Sequence, residues 1–300
     1  MGSALMLAGA ASASPLGKYQ PYEGVWDSTV ALWDAGFAPL EEIPAHNAVL
    51  PNLMRERMAE ITGLSLADCD FTIDNTLSAG FAAAEVTEKG GLHVASTQAG
   101  EQNAICNFGA LYSQPFAEWL MGQTDAGADY GVLFTLWHRP TRALVTAGNT
   151  APQSLAHLCN TTTPSINRLY VMQNGSGLLP GSALIAGQTH NALDMPGVSA
   201  VGSQGWSGAK PANFSLRSGR VFFNGGAQGG WATSNYNKAG SGIFYRAQLD
   251  LVDLSEIAGA TLADKASAML AAINTLAARD FAEGGRFHGD EFTPAATLKP

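Results

Sequence analysis

The side chains best suited to chemistry fall in three short stretches. "THNALDMPG" (189–197) sets His190 near Asp194, "RFHGDE" (286–291) sets His288 near Asp290, and "LFTLWHRP" (133–140) carries His138 at the end of an apolar run. An imidazole beside a carboxylate can move protons or ligate a metal, provided the two converge within hydrogen-bonding or ligating distance. Spacing alone does not bring them there, and Asp and Asn at such positions also cap turns and loops. His138 precedes Arg139-Pro140. Proline pushes its predecessor towards extended geometry and interrupts sheet pairing, so His138 is expected as a structural or solvated residue where a strand ends at a rim.

Other chemistries find less. "GSQGWSG" (202–208) lacks the Gly-x-Ser-x-Gly spacing of a nucleophile elbow. Glycoside hydrolysis needs two carboxylates across a groove. Glu85, Glu88, Asp194, Glu283, Asp290 and Glu291 are available, but no two stand at i, i+2 on one strand. The oxygens of "DCDFTIDN" (68–75) suit a hard cation such as calcium, yet EF-hand spacing and its glycine are missing, and a turn with a strand edge is the expectation. Cys69, Cys106 and Cys159 form no CxxC or CxxH, so buried free thiols are expected, with neither a disulfide framework nor a zinc site. No catalytic residue, metal or other cofactor is assigned.

Aromatic side chains beside amides offer a different function. The Gly-rich segments 174–218 and 225–242 carry His190, Asn191, Trp206, Trp231, Asn235 and Tyr236. Rings can stack on the apolar face of a pyranose while amides bond its hydroxyls, and the same residues serve protein interfaces. Contact with protein or glycan is therefore the expected use of these six.

The elements that must hold these loops are short. Segments such as "LHVAS" (92–96), "VLFTLW" (132–137), "NRLYVMQ" (167–173) and "GRVFFNGG" (219–226) are separated by Gly, Asn, Asp and Ser, the punctuation of an all-β fold. "VLFTLW" is apolar on both faces and should be central and covered on both. In "IFYRAQLDL" (243–251), Ile243, Tyr245, Ala247, Leu249 and Leu251 alternate with Arg246, Gln248 and Asp250, as on a strand with one wet face. Two helices are expected. One covers "NLMRERMAEITG", stopped by Gly63. The other runs over 261–279, begins at Thr261, ends before Gly284-Gly285 and packs on the outside of the sandwich or against a neighbour.

Residues 1–50 show no sustained period and read as an extended arm whose Trp26, Trp33 and Phe37 dock on a partner. The opening "MGSALMLAGAASASPLG" lacks the basic start of a secretion signal, its first basic residue being Lys18, so it is expected to stay on the chain, tied down. The chain thus divides into residues 1–65, an arm with a short helix for anchoring, and residues 66–300, a sandwich. Net charge −9, with basic residues scattered singly, argues against phosphate neutralisation and nucleic-acid binding. No apolar run is long enough for a membrane span.

Four stretches carry a family resemblance. "FTLWHRPTRALVTAGN" (134–149) and "RVFFNGG" (220–226) resemble strands of laminin-G or concanavalin A-like (jelly-roll) domains. "LPNLMRERMAEITG" (50–63) and "AARDFAEGGRFHGDEFTP" (277–294) resemble parts of bacteriophage virion structural proteins that carry such a domain. The resemblance implies a β-sandwich with a few accessory helices, placed in the virion as a capsid decoration, head fibre, tail or baseplate protein. Its partners would be other virion proteins, copies of itself and a host-surface glycan. The rival expectations are a free carbohydrate-binding lectin and a sandwich-fold glycan hydrolase. The family's calcium and glycan ligands have no clear counterparts in this chain.

Overall fold

The computed structural model describes residues 22–98, 106–123, 130–145, 154–158, 169–172, 178–179, 183–204, 220–227, 239–253 and 261–299. Their strands are β1 (Thr29–Asp34), β2 (Val49–Leu50), β3 (Phe71–Asn75), β4 (Ala82–Val86), β5 (Leu92–Ser96), β6 (Cys106–Leu111), β7 (Tyr130–Arg142), β8 (Ser154–Leu158), β9 (Leu169–Met172), β10 (Leu178–Leu179), β11 (Ala183–Gln188), β12 (Gly197–Gln204), β13 (Arg220–Ala227) and β14 (Ser241–Asp253). The helices are α1 (Arg55–Thr62), α2 (Gln114–Gln123), α3 (Leu262–Phe281) and α4 (Ala295–Leu298).

The strands form two antiparallel sheets. The first runs β11-β12-β7-β14-β5-β4, with β1 also paired to β14; the second runs β10-β9-β8-β13-β6-β3-β2. Their facing sides interdigitate through aromatic rings. Trp33 stacks on Phe223 at 4.8 Å between centroids, Phe134 meets Phe222 edge-on at 5.8 Å, and Phe223 meets Phe244 at 5.7 Å. One continuous apolar cluster joins both sheets, the bulk of the hydrophobic stabilisation of such a fold. The all-β sandwich expected from the punctuated apolar runs is what forms.

β7 is central, between β12 and β14, as its two apolar faces require. It does not stop at His138, however. The strand continues through Pro140, opposite Gly242 of β14. Pairing with β12 ends at Gly197 opposite His138, and the Pro140 carbonyl accepts the Asp194 N–H at 2.7 Å on that side. In a strand a residue's N and O point the same way, so the proline nitrogen faces the side where no ladder donor is required.

β14 departs from simple alternation at one point. Phe244 pairs with His138 and Arg246 with Trp137, so Tyr245 is an extra, bulged residue. Phe244 faces the second sheet, whereas Tyr245 turns outward onto Phe281 and Phe287. A one-residue insertion exchanges the two faces. Ile243 and Tyr245 therefore do not share a side with Ala247, Leu249 and Leu251.

The expected arm is corrected too. Thr29–Asp34 pairs with β14 of the same chain, and all six residues are buried. Its other edge is closed by a side chain: the Asn52 amide accepts from Leu32 N–H at 2.9 Å and donates to Val30 O at 3.1 Å, imitating a neighbouring strand. This is one way to blunt an edge that would otherwise template aggregation. The ordinary β-propensity of "TVALWD" was hidden by its Pro-rich and Gly-rich surroundings. Residues 1–21, where the tied-down terminus was expected, lie outside the described residues.

Both expected helices form. Gly63 takes the left-handed conformation (φ 71°) that ends α1, and Thr261 with Asp264 makes a reciprocal capping box at the start of α3. α3 lies on the outer face of the first sheet, across β11, β12, β7 and β14.

Candidate functional site

The outer face of the first sheet, beneath α3 and the C-terminal residues, concentrates the polar chemistry. Arg246, Gln248 and Asp250 stand at i, i+2, i+4 on β14, where the sequence pattern indicates a wet face. All three are buried, at 1%, 0% and 0% exposure, because α3, β1 and residues 22–28 cover them. Burial of charge at this depth requires pairing. Arg246 Nη1 donates to Asp34 Oδ2 at 3.1 Å, and its Nε and Nη2 donate to Gln248 Oε1. Gln248 Nε2 donates to both Asp250 oxygens and to Gly24 O, and Thr29 Oγ1 donates to Asp250 Oδ1 at 2.5 Å.

The ladder extends into the C-terminal elements. Arg286 donates to Asp34 through Nη1 (2.8 Å) and Nη2 (3.2 Å), and to Asp280 through Nε (2.7 Å); Arg279 bridges Asp280 and Glu23. Burial pushes the Arg246 guanidinium below its usual range, against the pull of Asp34. Burial also opposes the charge on Arg286, but the bonds to Asp34 and Asp280 outweigh it and hold that group above its usual range. Asp34 thus joins β1, β14 and the segment after α3 in one network.

A second constellation lies beside it. Glu85 of β4 and His93 of β5 are direct cross-strand partners. His93 Nδ1 lies 3.0 Å from Glu85 Oε1, and Nε2 lies 2.9 Å from Thr141 Oγ1 at the end of β7. An ionised carboxylate can only accept, so Nδ1 carries the proton and Nε2 accepts from the threonine hydroxyl. Burial lowers the His93 pKa and keeps the ring neutral; for Glu85, burial acts upward but bonds from His93 and Thr293 hold it below its usual range.

The connectivity, acid to imidazole to hydroxyl, is that of a nucleophilic relay. Its surroundings make it a clasp. Thr293 donates to Glu85 through its N–H (2.7 Å) and hydroxyl (2.8 Å), Phe292 sits edge-on to the His93 ring at 5.3 Å, and His93 is fully buried. Asp290 extends the clasp by accepting from the Tyr245 hydroxyl and the Lys89 N–H.

The third constellation surrounds His138, which is 2% exposed and so is neither solvated nor at a strand end. Its Nε2 lies 2.9 Å from Ser199 Oγ, which accepts the His190 N–H at 3.0 Å; the two rings meet edge-on at 5.6 Å. Burial, aided by His190, lowers the His138 pKa to about 3. The pair serves to pin the β11–β12 turn.

Neither imidazole–carboxylate pair suggested by spacing forms. His190 Nε2 bonds Met195 O, while Asp194 takes a left-handed turn conformation (φ 59°). His288 Nδ1 approaches Phe281 O, while Asp290 goes to Tyr245 and Lys89. Glu88, Asp194, Glu283 and Glu291 are exposed. The oxygens of 68–75 diverge: Asp68 caps a short turn with Ser65, Asp70 pairs with Arg55, and Asp74 meets Asn107. Among the described residues no group of three or more His, Cys, Asp or Glu is placed to hold a metal ion. Cys69 and Cys106 are buried free thiols; Cys159 lies outside the described residues.

Of the expected contact residues, Asn191 is exposed and His190 half-buried on the β11–β12 turn; Trp206, Trp231, Asn235 and Tyr236 lie outside the described residues. The three aromatics assigned to a docking arm serve their own sandwich. Trp33 is in the core, Trp26 packs partly against it, and Phe37 lies under Arg286 at 4.8 Å while remaining 38% exposed. An apolar cleft between the sheets, lined by Tyr112, Phe134, Ala156, Val201 and Leu249, has room for about one water molecule.

No family model, curated protein or solved structure matches the chain.

Proposed function

We propose that this chain is a non-catalytic structural subunit of a bacteriophage virion, built on a laminin-G/concanavalin A-like sandwich. One observation carries the reading. The carboxylates, guanidinia and imidazoles gathered on the first sheet are committed to holding chain segments together: Asp34 and Arg286 bind β1 to the C-terminal residues, and Glu85 holds Thr293. A subunit of a particle benefits from peripheral segments fastened to a rigid sandwich, because fraying segments are where local opening and proteolysis begin. The two stretches that resemble virion proteins include 277–294, the segment that supplies Asp280, Arg286, Asp290 and Thr293 to these clasps.

In this reading copies of the chain and neighbouring virion proteins are the partners. The β11–β12 turn, which displays Leu193 and Met195 at 50% and 60% exposure, is one of the surfaces offered to them. Gradient purification of phage particles from the source culture, followed by mass spectrometry, tests the proposal. Peptides of this chain should band with intact particles at constant ratio to the major capsid protein. Recovery only from the particle-free supernatant would overturn it.

A further inference from the structure

The C-terminal residues are held by groups of two kinds. α3 and Arg286 are tied by ion pairs to Glu23, Asp34 and Asp280, whereas the hold on Thr293 and Phe292 runs through one carboxylate and one imidazole. Glu85 carries both bonds to Thr293, and His93 supports Glu85 while its ring packs against Phe292. On the other side of Phe292 the Arg139 guanidinium lies 4.7 Å from the ring centroid. We infer that residues 290–299 form an acid-released latch: Glu85 and His93 hold this tail on the first sheet at neutral pH, and their protonation frees it while the sandwich stays folded. The inference goes beyond the structural role proposed above and does not depend on it.

The groups facing the pair are Arg139 of β7, Tyr245 of β14, and Asp290 of the tail, with the Lys89 N–H bound to Asp290. At the tail's end Arg142 donates to Lys299 O at 2.8 Å, and Lys299 Nζ reaches Ala79 O. Proton uptake damages the closed form in two ways. A charge on His93 requires a proton on Nε2, where Thr141 now donates, and adds a second cation beside Phe292 opposite Arg139. A proton on Glu85 weakens the acceptor that holds Thr293 by two bonds.

Both groups favour release on acidification. Burial holds the pKa of His93 below its ordinary 6.5, so the open tail binds the proton more readily and closure weakens as the pH falls below 6.5. Glu85 lies below its ordinary 4.5, the bonds from His93 and Thr293 overcoming burial, so the closed form again prefers the deprotonated group and weakens further under 4.5. Of these residues Phe292 packs against the apolar cluster, and neither Glu85 nor His93 belongs to it.

Hydrogen–deuterium exchange of the full chain, corrected for intrinsic rates, tests the latch. Between about pH 7 and about pH 5 the tail peptides should lose about tenfold in protection and approach the exchange rates of open amides, while β14 peptides, although weakened by the titration of His138, remain protected by at least about a hundredfold. His93→Gln, which cannot titrate, should flatten that loss, and Thr293→Val should open the tail already at neutral pH without affecting β14. If His93→Gln fails to fold, the Thr293→Val comparison and the wild-type profile decide. Tail and β14 becoming fully unprotected at the same pH, or tail protection unchanged down to about pH 4, would overturn the inference.

Discussion

Asp34 and Arg246 face each other across β1 and β14, paired in register and joined at 3.1 Å, with neither side chain more than 1% exposed. A strand from the beginning of the chain is thus held to one near its end by opposite charges out of reach of water. Asp34 also takes two bonds from Arg286, so the pair is the centre of the network that closes the sandwich.

Replacing one member should expose how much the pairing matters. Asp34→Ala leaves Arg246 buried without its carboxylate and should destabilise the fold by about 3–5 kcal/mol. Arg286, 26% exposed, can keep Asp280 and suffers less. The double variant Asp34→Leu/Arg246→Met should recover part of the loss, since an apolar pair of similar volume has no desolvation cost. Urea unfolding of the three proteins checks the order.

Asn52→Ala should be costly out of proportion to its size. The amide accepts from Leu32 and Met54 N–H groups and donates to Val30 and Cys69 carbonyls. Losing it strands buried backbone groups and opens the β1 edge, for about 2–4 kcal/mol and increased aggregation. Urea midpoints and light scattering on the same samples report the two effects.

His138 sets an acid limit on the whole fold. Its pKa falls from 6.5 unfolded to about 3 folded, so the folded state rejects the proton and stability is lost as the pH drops from 6.5 towards 3. The loss is at most several kcal/mol, about 1.4 per pH unit over the window. His138→Asn should flatten the pH dependence of unfolding free energy there, even if the variant is less stable at neutral pH. Urea titrations across that range provide the comparison.

Gly109→Ala should abolish soluble folding. A Cβ there would overlap Phe223 O and the Asn224 side chain on the adjacent strand β13, and backbone in a central strand cannot yield. Soluble yield and circular dichroism measure the outcome.

The architecture was legible where side chains report their own surroundings. "VLFTLW" is apolar on both faces and lies covered on both; Thr261 and Gly63 sit where their chemistry places helix ends. The candidate site was not, because its members meet through pairings distant in sequence. Arg246-x-Gln-x-Asp250 has the pattern of a solvated strand, and only the arrival of α3 and β1 buries it. Glu85 and His93 are eight residues apart but are neighbours across β4 and β5, and Thr141 reaches them from β7. The bulge at Tyr245 reversed one expected face, and Trp33 was assigned to an arm because "TVALWD" stands alone among loop-forming residues. Some outward signal existed: an Arg, a Gln and an Asp at strand spacing form a same-face ladder whether solvent or a helix lies above it.

Electron microscopy of intact phage particles, labelled with antibody raised against the purified chain, tests the virion assignment most directly. The account predicts gold at a reproducible, repeated position on the particle surface, lost when the antibody is pre-absorbed with the chain. Particles free of label, with the antigen found only in the soluble lysate, would contradict it.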